Sequence, residues 1–255
     1  MNLQHPRDLR ALCRRGEWTG PTAGLCGGFA QANLVIVPSA VADDFHEFCD
    51  RNRRACPLME RTACGSWEAT RSAPGSDLRH DLPRYHVIQD GEITQTVHSI
   101  EPFWQQDFVS FLLGCSFTFE DRLIKAGVPV RHVECGMNVP MYRTTIPCES
   151  AGVFHGPLVV SMRPMLPAES VLATRISEAM PDAHGGPVHI GAPDAIGIRD
   201  IAKPDYGDAV PVKPGETYAF WACGVTPLEA LRRARLPLAI THAPGHMFLS
   251  DLVID

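Results

Sequence analysis

The feature that most constrains this chain is its set of short apolar runs, each cut off by proline or glycine. Asn33–Val37 (NLVIV), Leu158–Met162 (LVVSM) and Thr217–Cys223 (TYAFWAC) are five to seven residues long. Runs of this length fit buried strands, and none approaches the roughly 18 apolar residues that cross a bilayer. The 22 prolines and 21 glycines are spread evenly, which predicts short elements and many tight turns, not low complexity. At 255 residues the chain is one large domain or two intimate ones. With 45% hydrophobic residues it has enough apolar material to offset chain entropy.

Periodicity places the elements. Residues 3–15 predict an amphipathic helix. The NLVIV strand ends at Pro38, and Ser39 then caps a helix to about residue 52 that turns Phe45 and Phe48 inward. Residues 56–60 look extended. Residues 62–80 are polar and rich in turn formers and predict a mobile loop. Residues 84–88 and 92–97 form a hairpin about Asp90-Gly91. Residues 102–113 read as a helix, and Thr118 with Asp121 starts a second one that ends near Gly127. Strands are expected at 128–134, 139–145, 158–162, 187–190, 217–223, 236–240 and 247–254. Helices are expected over 168–180 and from Thr226, where Thr226 caps, Pro227 opens and Glu229 completes the box. The alternation predicts an α/β (mixed α+β) fold. We expect a three-layer α/β main domain from residues 1–127 plus 191–255, with a smaller two-layer α+β domain inserted at 128–190.

Composition excludes several function classes. The net charge is −6 and the basic residues form no cluster, which argues against nucleic acid. Of the 23 basic residues only Lys125, Lys203 and Lys213 are lysines, and arginine's planar fork suits carboxylate recognition. The first residues hold no apolar core or cleavage site of a signal peptide. Nine cysteines, an odd count without a CxxC pair, fit a cytoplasmic protein and not a structural zinc site. Gly24–Gly28 is glycine-rich but follows no strand and matches no phosphate-loop pattern.

Chemistry gathers beyond strand ends. Cys223 precedes a helix start whose dipole would favour a thiolate, unless the residue is a buried small hydrophobe. His242 and His246 are four apart, but Pro244-Gly245 between them rules out a helical zinc pair; they converge on a site or serve as one loop and one packed histidine. Arg163 at the end of LVVSM holds either a substrate carboxylate or a structural acid. His184 and His189 flank a Gly-Gly-Pro-Val stretch that lets a ligand approach the backbone. Asp205–Asp208 is an acidic turn.

Eight segments together are specific: Ala30–Ile36 (AQANLVI), Asp81–Tyr85 (DLPRY), Phe111–Glu120 (FLLGCSFTFE), Asn138–Thr144 (NVPMYRT), Gly156–Pro164 (GPLVVSMRP), Pro187–Gly191 (PVHIG), Phe220–Pro227 (FWACGVTP) and Thr241–Met247 (THAPGHM). Over nearly its whole length the chain resembles the D-glutamate cyclase family, whose bacterial members are labelled hydro-lyases. It departs from the family pattern at Asn52–Ala55, at Gly191–Asp194 where the family has Gly-Asp-Pro, and at Leu228 where a glutamine is usual.

The resemblance implies a two-part α/β architecture and carbon–oxygen lyase chemistry, the named reaction being dehydrative cyclisation of D-glutamate to 5-oxo-D-proline. That reaction needs a base for the ammonium group, an acid for the leaving oxygen, a cation for the α-carboxylate and donors for the oxyanion. From the residues, Arg163 is the expected carboxylate clamp, with Arg84 second. His242 and His189 are the base and acid candidates because imidazole titrates near neutrality, and Asp208 would orient one of them. Amides at 224–226 would hold the oxyanion. Cys223 is either an acylating nucleophile or a packing residue. Asn33, Ser116, Tyr142 and Ser161 are candidate substrate contacts. The expected partner is a small acidic molecule, with no membrane, and a homodimer is the default oligomer. No cofactor is required, and a divalent metal stays open because no spacing dictates a site. The competing readings are a cysteine-dependent amidase or hydrolase, and a non-catalytic small-molecule or metal-binding accessory protein.

Overall fold

The computed structural model describes residues 5–254. In chain order the strands are β1 (Phe29–Pro38), β2 (Leu58–Arg61), β3 (Tyr85–Gln89), β4 (Glu92–Val97), β5 (Phe108–Gly114), β6 (Met141–Pro147), β7 (Pro157–Met165), β8 (His189–Ile190), β9 (Thr217–Ala222), β10 (Ala239–His242) and β11 (Phe248–Val253). The helices are α1 (Pro6–Arg14), α2 (Ala42–Arg51), α3 (Phe117–Lys125), α4 (Arg131–Glu134), α5 (Pro167–Glu178) and α6 (Thr226–Ala234). The architecture is mixed α/β. Seven strands form one sheet in the order β2-β5-β1-β10-β3-β4, with β11 beside β10 along β1, and four form a second in the order β6-β7-β9-β8. Every strand pairing within the two sheets is antiparallel. The second sheet draws β9 from outside residues 128–190 as well as β6, β7 and β8 from within or beside that stretch.

β1 is the spine, and its sequence says why. A strand buried on both faces reads as a continuous apolar run. Val35 and Val37 enter a core with Phe45 and Phe48 of α2, Phe154 and Val159. Leu34 and Ile36 enter another with Leu78, Tyr85 and Phe248. The same two-sided burial explains the misreading of 102–113 as a helix. Phe108–Gly114 is fully buried between β1 and β2, and an apolar run without alternation carries no period to separate helix from strand.

Other expectations are corrected. Residues 128–134 contain no strand: Arg131–Glu134 is a single helical turn, fixed because Arg131 pairs with Glu216 and His132 with Glu120. Neither threonine caps its helix. Thr118 Oγ1 accepts the Gln31 N–H at 3.0 Å, and Thr226 Oγ1 accepts the Val159 N–H at 3.1 Å while donating to Cys223 O at 2.7 Å. Both hydroxyls tie a helix start to a neighbouring strand instead. Residues 62–80 are irregular but pinned, not loose. The buried Glu60 carboxylate accepts from Arg71 N at 3.0 Å, Ser72 N at 2.8 Å and Ser72 Oγ at 2.6 Å, and Ala69, Ala73 and Leu78 are fully buried. The hairpin stands as read: Asp90 and Gly91 have φ of 50° and 86°, the left-handed pair that a two-residue turn between twisted strands requires.

Candidate active site

The inner faces of the two sheets meet, and most of the chemistry lies between them. Residues alternate faces along a strand, so Gln31, Asn33 and Val35 share one side of β1. Register adds Thr241 of β10 beside Val35, and His86 of β3 beside Thr241. Val35, Cys115, Met141, Val159 and Cys223 belong to one buried cluster, which fixes this side as the one that faces the second sheet.

Two strand-to-helix junctions converge on Asn33. One is Gly114-Cys115-Ser116 between β5 and α3; the other is Cys223-Gly224-Val225 between β9 and α6. Asn33 Nδ2 donates to Gly114 O at 2.7 Å, and a Cβ added to Gly224 would lie 2.0 Å from that same nitrogen. Cys223 is buried here, as the packing alternative has it. Burial pushes its thiol up to about 11, against the opposite pull of the Val225 N–H and the Arg163 charge. Desolvation therefore outweighs the helix start that was expected to lower it.

Arg163 is fully buried and engaged at Nε and at both terminal nitrogens. Nε donates to Glu120 at 2.9 Å, Nη1 to Ser161 Oγ at 3.0 Å and Nη2 to Ser116 Oγ at 3.0 Å as well as to Glu120. Its guanidinium also lies over the rings of Phe119 and Trp221. Burial alone would raise the Glu120 carboxyl; the charges of His132, 3.2 Å away, and Arg163 hold it below its ordinary range. Arg163 thus takes the structural-acid alternative, and Ser116 and Ser161 serve it as acceptors.

The third feature is the turn Thr241–Met247. Thr22 ties down its far side: Thr22 N donates to Gly245 O at 2.9 Å, and Thr22 Oγ1 accepts from Met247 N at 3.0 Å. Asn138 packs on it, donating Nδ2 to Pro244 O at 3.0 Å, while a Cβ on Gly245 would lie 2.2 Å from Asn138 Oδ1. Around this turn sit four buried polar atoms with no hydrogen-bond partner: Gln31 Oε1, Asn138 Oδ1 and Thr241 Oγ1, and His242 Nε2, whose residue register sets beside Leu34 and Tyr85 on the other face of the sheet. Native interiors leave few such atoms unpaired, so their grouping makes this turn the candidate place for a ligand. Arg84 stands exposed beside the turn, its carbonyl accepting from Ala243 N at 2.9 Å, with no acidic partner among the described residues.

The histidines here are neutral near pH 7, not titrating there. Burial, with the nearby His86 and His246, lowers His242 to about 3, against the Leu34 carbonyl at 3.3 Å from its Nδ1. Burial and His246 lower His86 to about 4. Asp208 orients no histidine; it accepts the Asn138 N–H at 2.8 Å. Nor do His189 and Tyr142 join the site. Register puts both beside Phe220 or Val160, on the opposite face of the second sheet from Ser161 and Arg163. His189 stacks on Phe220, and the Tyr142 hydroxyl donates to Ile201 O at 2.6 Å.

The sequence reading missed Gln31, His86, Glu120, His132, Asn138 and Thr241. One signal was available: Gln31 and Asn33 alternate with apolar residues in a strand otherwise hydrophobic, which places both amides on one buried face. Among the described residues, no group of three or more His, Cys, Asp or Glu is arranged to hold a metal ion, and no helix is long and apolar enough to cross a membrane.

Comparison with known proteins bears on these features together. A family model described as D-glutamate cyclase matches residues 109–251, from β5 through β11. A Bacillus licheniformis protein named "Putative hydro-lyase" is 53% identical over 99% of this chain and 96% of its own length. Namesakes from Stutzerimonas stutzeri (53%, covering 99% and 97%) and Bacillus subtilis (50%, covering 97% and 96%) are similar. Among solved structures, a nitrogen repressor-like protein from Methanococcus jannaschii aligns over 92% of this chain and 91% of its own, at 8% identity and a TM-score of 0.39, too distant to carry an argument.

Proposed function

The chain belongs to the D-glutamate cyclase family, and on that premise we propose that it is a hydro-lyase acting on a small amino or carboxylic acid, with D-glutamate cyclising to 5-oxo-D-proline and water. The observation that supports this reading best is the set of unpaired polar atoms around Thr241–Met247, next to two helix starts. The reaction is redox-neutral. The amine nitrogen bonds to the γ-carboxyl carbon, one C–O bond breaks, and the two ammonium protons that are lost leave with that oxygen as water.

Each requirement has a candidate. Arg84, exposed and without an acid, receives the α-carboxylate. His242 Nδ1 lies 3.3 Å from both the N–H and the carbonyl of Leu34; in the tautomer that donates to the carbonyl, Nε2 is bare and is the base for the ammonium, and the desolvation that lowers the histidine lowers the ammonium too and narrows the gap between them. Of the amides expected to hold the oxyanion, Thr226 N donates to Cys223 O at 2.9 Å and the Val225 N–H to the Cys223 sulfur, which leaves Gly224 N as the donor for that role; orientation of a flexible diacid between these groups supplies several kcal/mol on the order of intramolecular reactions. A cysteine-dependent amidase would need Cys223 as a thiolate, and its raised pKa disfavours that. We place the protein in the cytoplasm, where exposed cysteines such as Cys64 and Cys135 stay reduced.

The test is to incubate pure protein with D-glutamate, L-glutamate and 5-oxoproline, with divalent metal or chelator, and to follow interconversion by chiral chromatography. Turnover of the D-series supports the reading. Ligand-dependent melting without turnover would favour a binding role, and loss of activity with chelator would establish a metal.

A further inference from the structure

We infer that Gln31 and Asn138 form the amino-group subsite, binding the substrate's ammonium through their side-chain carbonyl oxygens. This rests on the reading of the site just given and deepens it. An amide side chain has a donor end and an acceptor end, and its neighbours decide which end is free. Gln31 Nε2 donates to Thr22 O at 3.1 Å and to Leu25 O at 3.2 Å, so both of its protons are spent. Asn138 Nδ2 donates to Pro244 O at 3.0 Å. Both amides are thus held by backbone carbonyls with their oxygens turned the other way, and both oxygens are buried and unpaired. They hang from one frame, because Thr22 is itself hydrogen-bonded to Gly245.

Buried acceptors without donors call for a ligand that brings donors. A carboxylate or a ketone brings none, a hydroxyl brings one and an ammonium brings three. The number of acceptors favours the cation. Thr241 Oγ1, also buried and unpaired, adds an acceptor on the other side of the turn. The α-carboxylate is left to Arg84, so the two ends of the amino acid are read by opposite sides of the same turn.

The experiment measures dissociation constants by calorimetry for three ligands differing only at C2: D-glutamate, D-2-hydroxyglutarate and glutarate. The wild-type protein binds them in that order, each step weakening roughly tenfold or more, because a site built to pair with donors rejects the analogue that lacks them. Gln31→Leu and Asn138→Leu lose this discrimination while glutarate binds as before. Gln31→Glu, which keeps an acceptor at the same position, retains it. A structural role would weaken all three ligands alike and leave the ratio unchanged. Equal affinity for D-glutamate and glutarate in the wild type, or unchanged ratios in both leucine variants, overturns the subsite while leaving the lyase reading intact. Failure to bind any of the three overturns both.

Discussion

Asn33 occupies the space that a side chain at residue 224 would need: a Cβ there would fall 2.0 Å from Asn33 Nδ2. The two junctions that flank the site are therefore locked to each other through one amide. Gly224→Ala forces Asn33 off Gly114 O, and overpacking of this kind costs about 1–3 kcal/mol. Chemical denaturation should show that loss, and turnover should fall further than the loss of folded protein explains. Unchanged stability would mean the junction adapts freely.

Arg163 separates fold from function. Arg163→Ala leaves Glu120 charged and buried beside His132, and breaking such a pair costs about 3–5 kcal/mol. The expected result is a large drop in denaturation midpoint. An Arg163→Ala protein of normal stability with a raised KM alone would return Arg163 to the role of carboxylate clamp.

Acid should destabilise the protein before its carboxylates protonate. His184 and His242, both buried, are lowered from 6.5 to about 4 and about 3 in the folded state. Between those values and 6.5 the unfolded chain binds more protons, so stability is complete above pH 6.5 and declines as pH falls toward 4. Each histidine contributes a slope of at most about 1.4 kcal/mol per pH unit. Urea midpoints measured from pH 8 to pH 4.5 check this. His242→Gln should flatten the slope, and a slope that stays the same would contradict the assignment.

Thiol labelling distinguishes the packed cysteine from a nucleophile. At pH 8 the exposed Cys64 and Cys135 should alkylate first, and Cys223, raised to about 11, should remain unlabelled in the folded protein. Mass spectrometry of the peptides gives the order. Cys223 reacting first would revive the acyl-enzyme route.

Much of the fold was readable because its strands announce themselves locally. The NLVIV, LVVSM and TYAFWA runs, the Asp90-Gly91 turn and the Pro227 helix start all carry their structure in a few adjacent residues. What escaped was set by distant contacts. Phe108–Gly114 becomes a strand because β1 and β2 flank it, and Thr118 and Thr226 leave their caps to bond Gln31 and Val159. The site divides in the same way. Asn33, Cys223, His242 and Arg84 could be picked by type and position, but which face His189 and Tyr142 occupy depends on sheet register. That Gln31 and Asn138 keep unpaired oxygens depends on a frame in which Thr22, close to Gln31 in sequence, meets Gly245 from the far end of the chain, over a hundred residues from Asn138.

Under the proposed reaction, glutamate closes by expelling a γ-carboxyl oxygen. The direct measurement uses D-glutamate carrying ¹⁸O in both γ-carboxyl oxygens, incubated with the protein and analysed by mass spectrometry. The expected result is protein-dependent 5-oxo-D-proline that keeps one heavy oxygen, the other appearing in water, with L-glutamate unreacted. Recovery of the labelled D-glutamate unchanged from folded protein, with and without added metal, would contradict it.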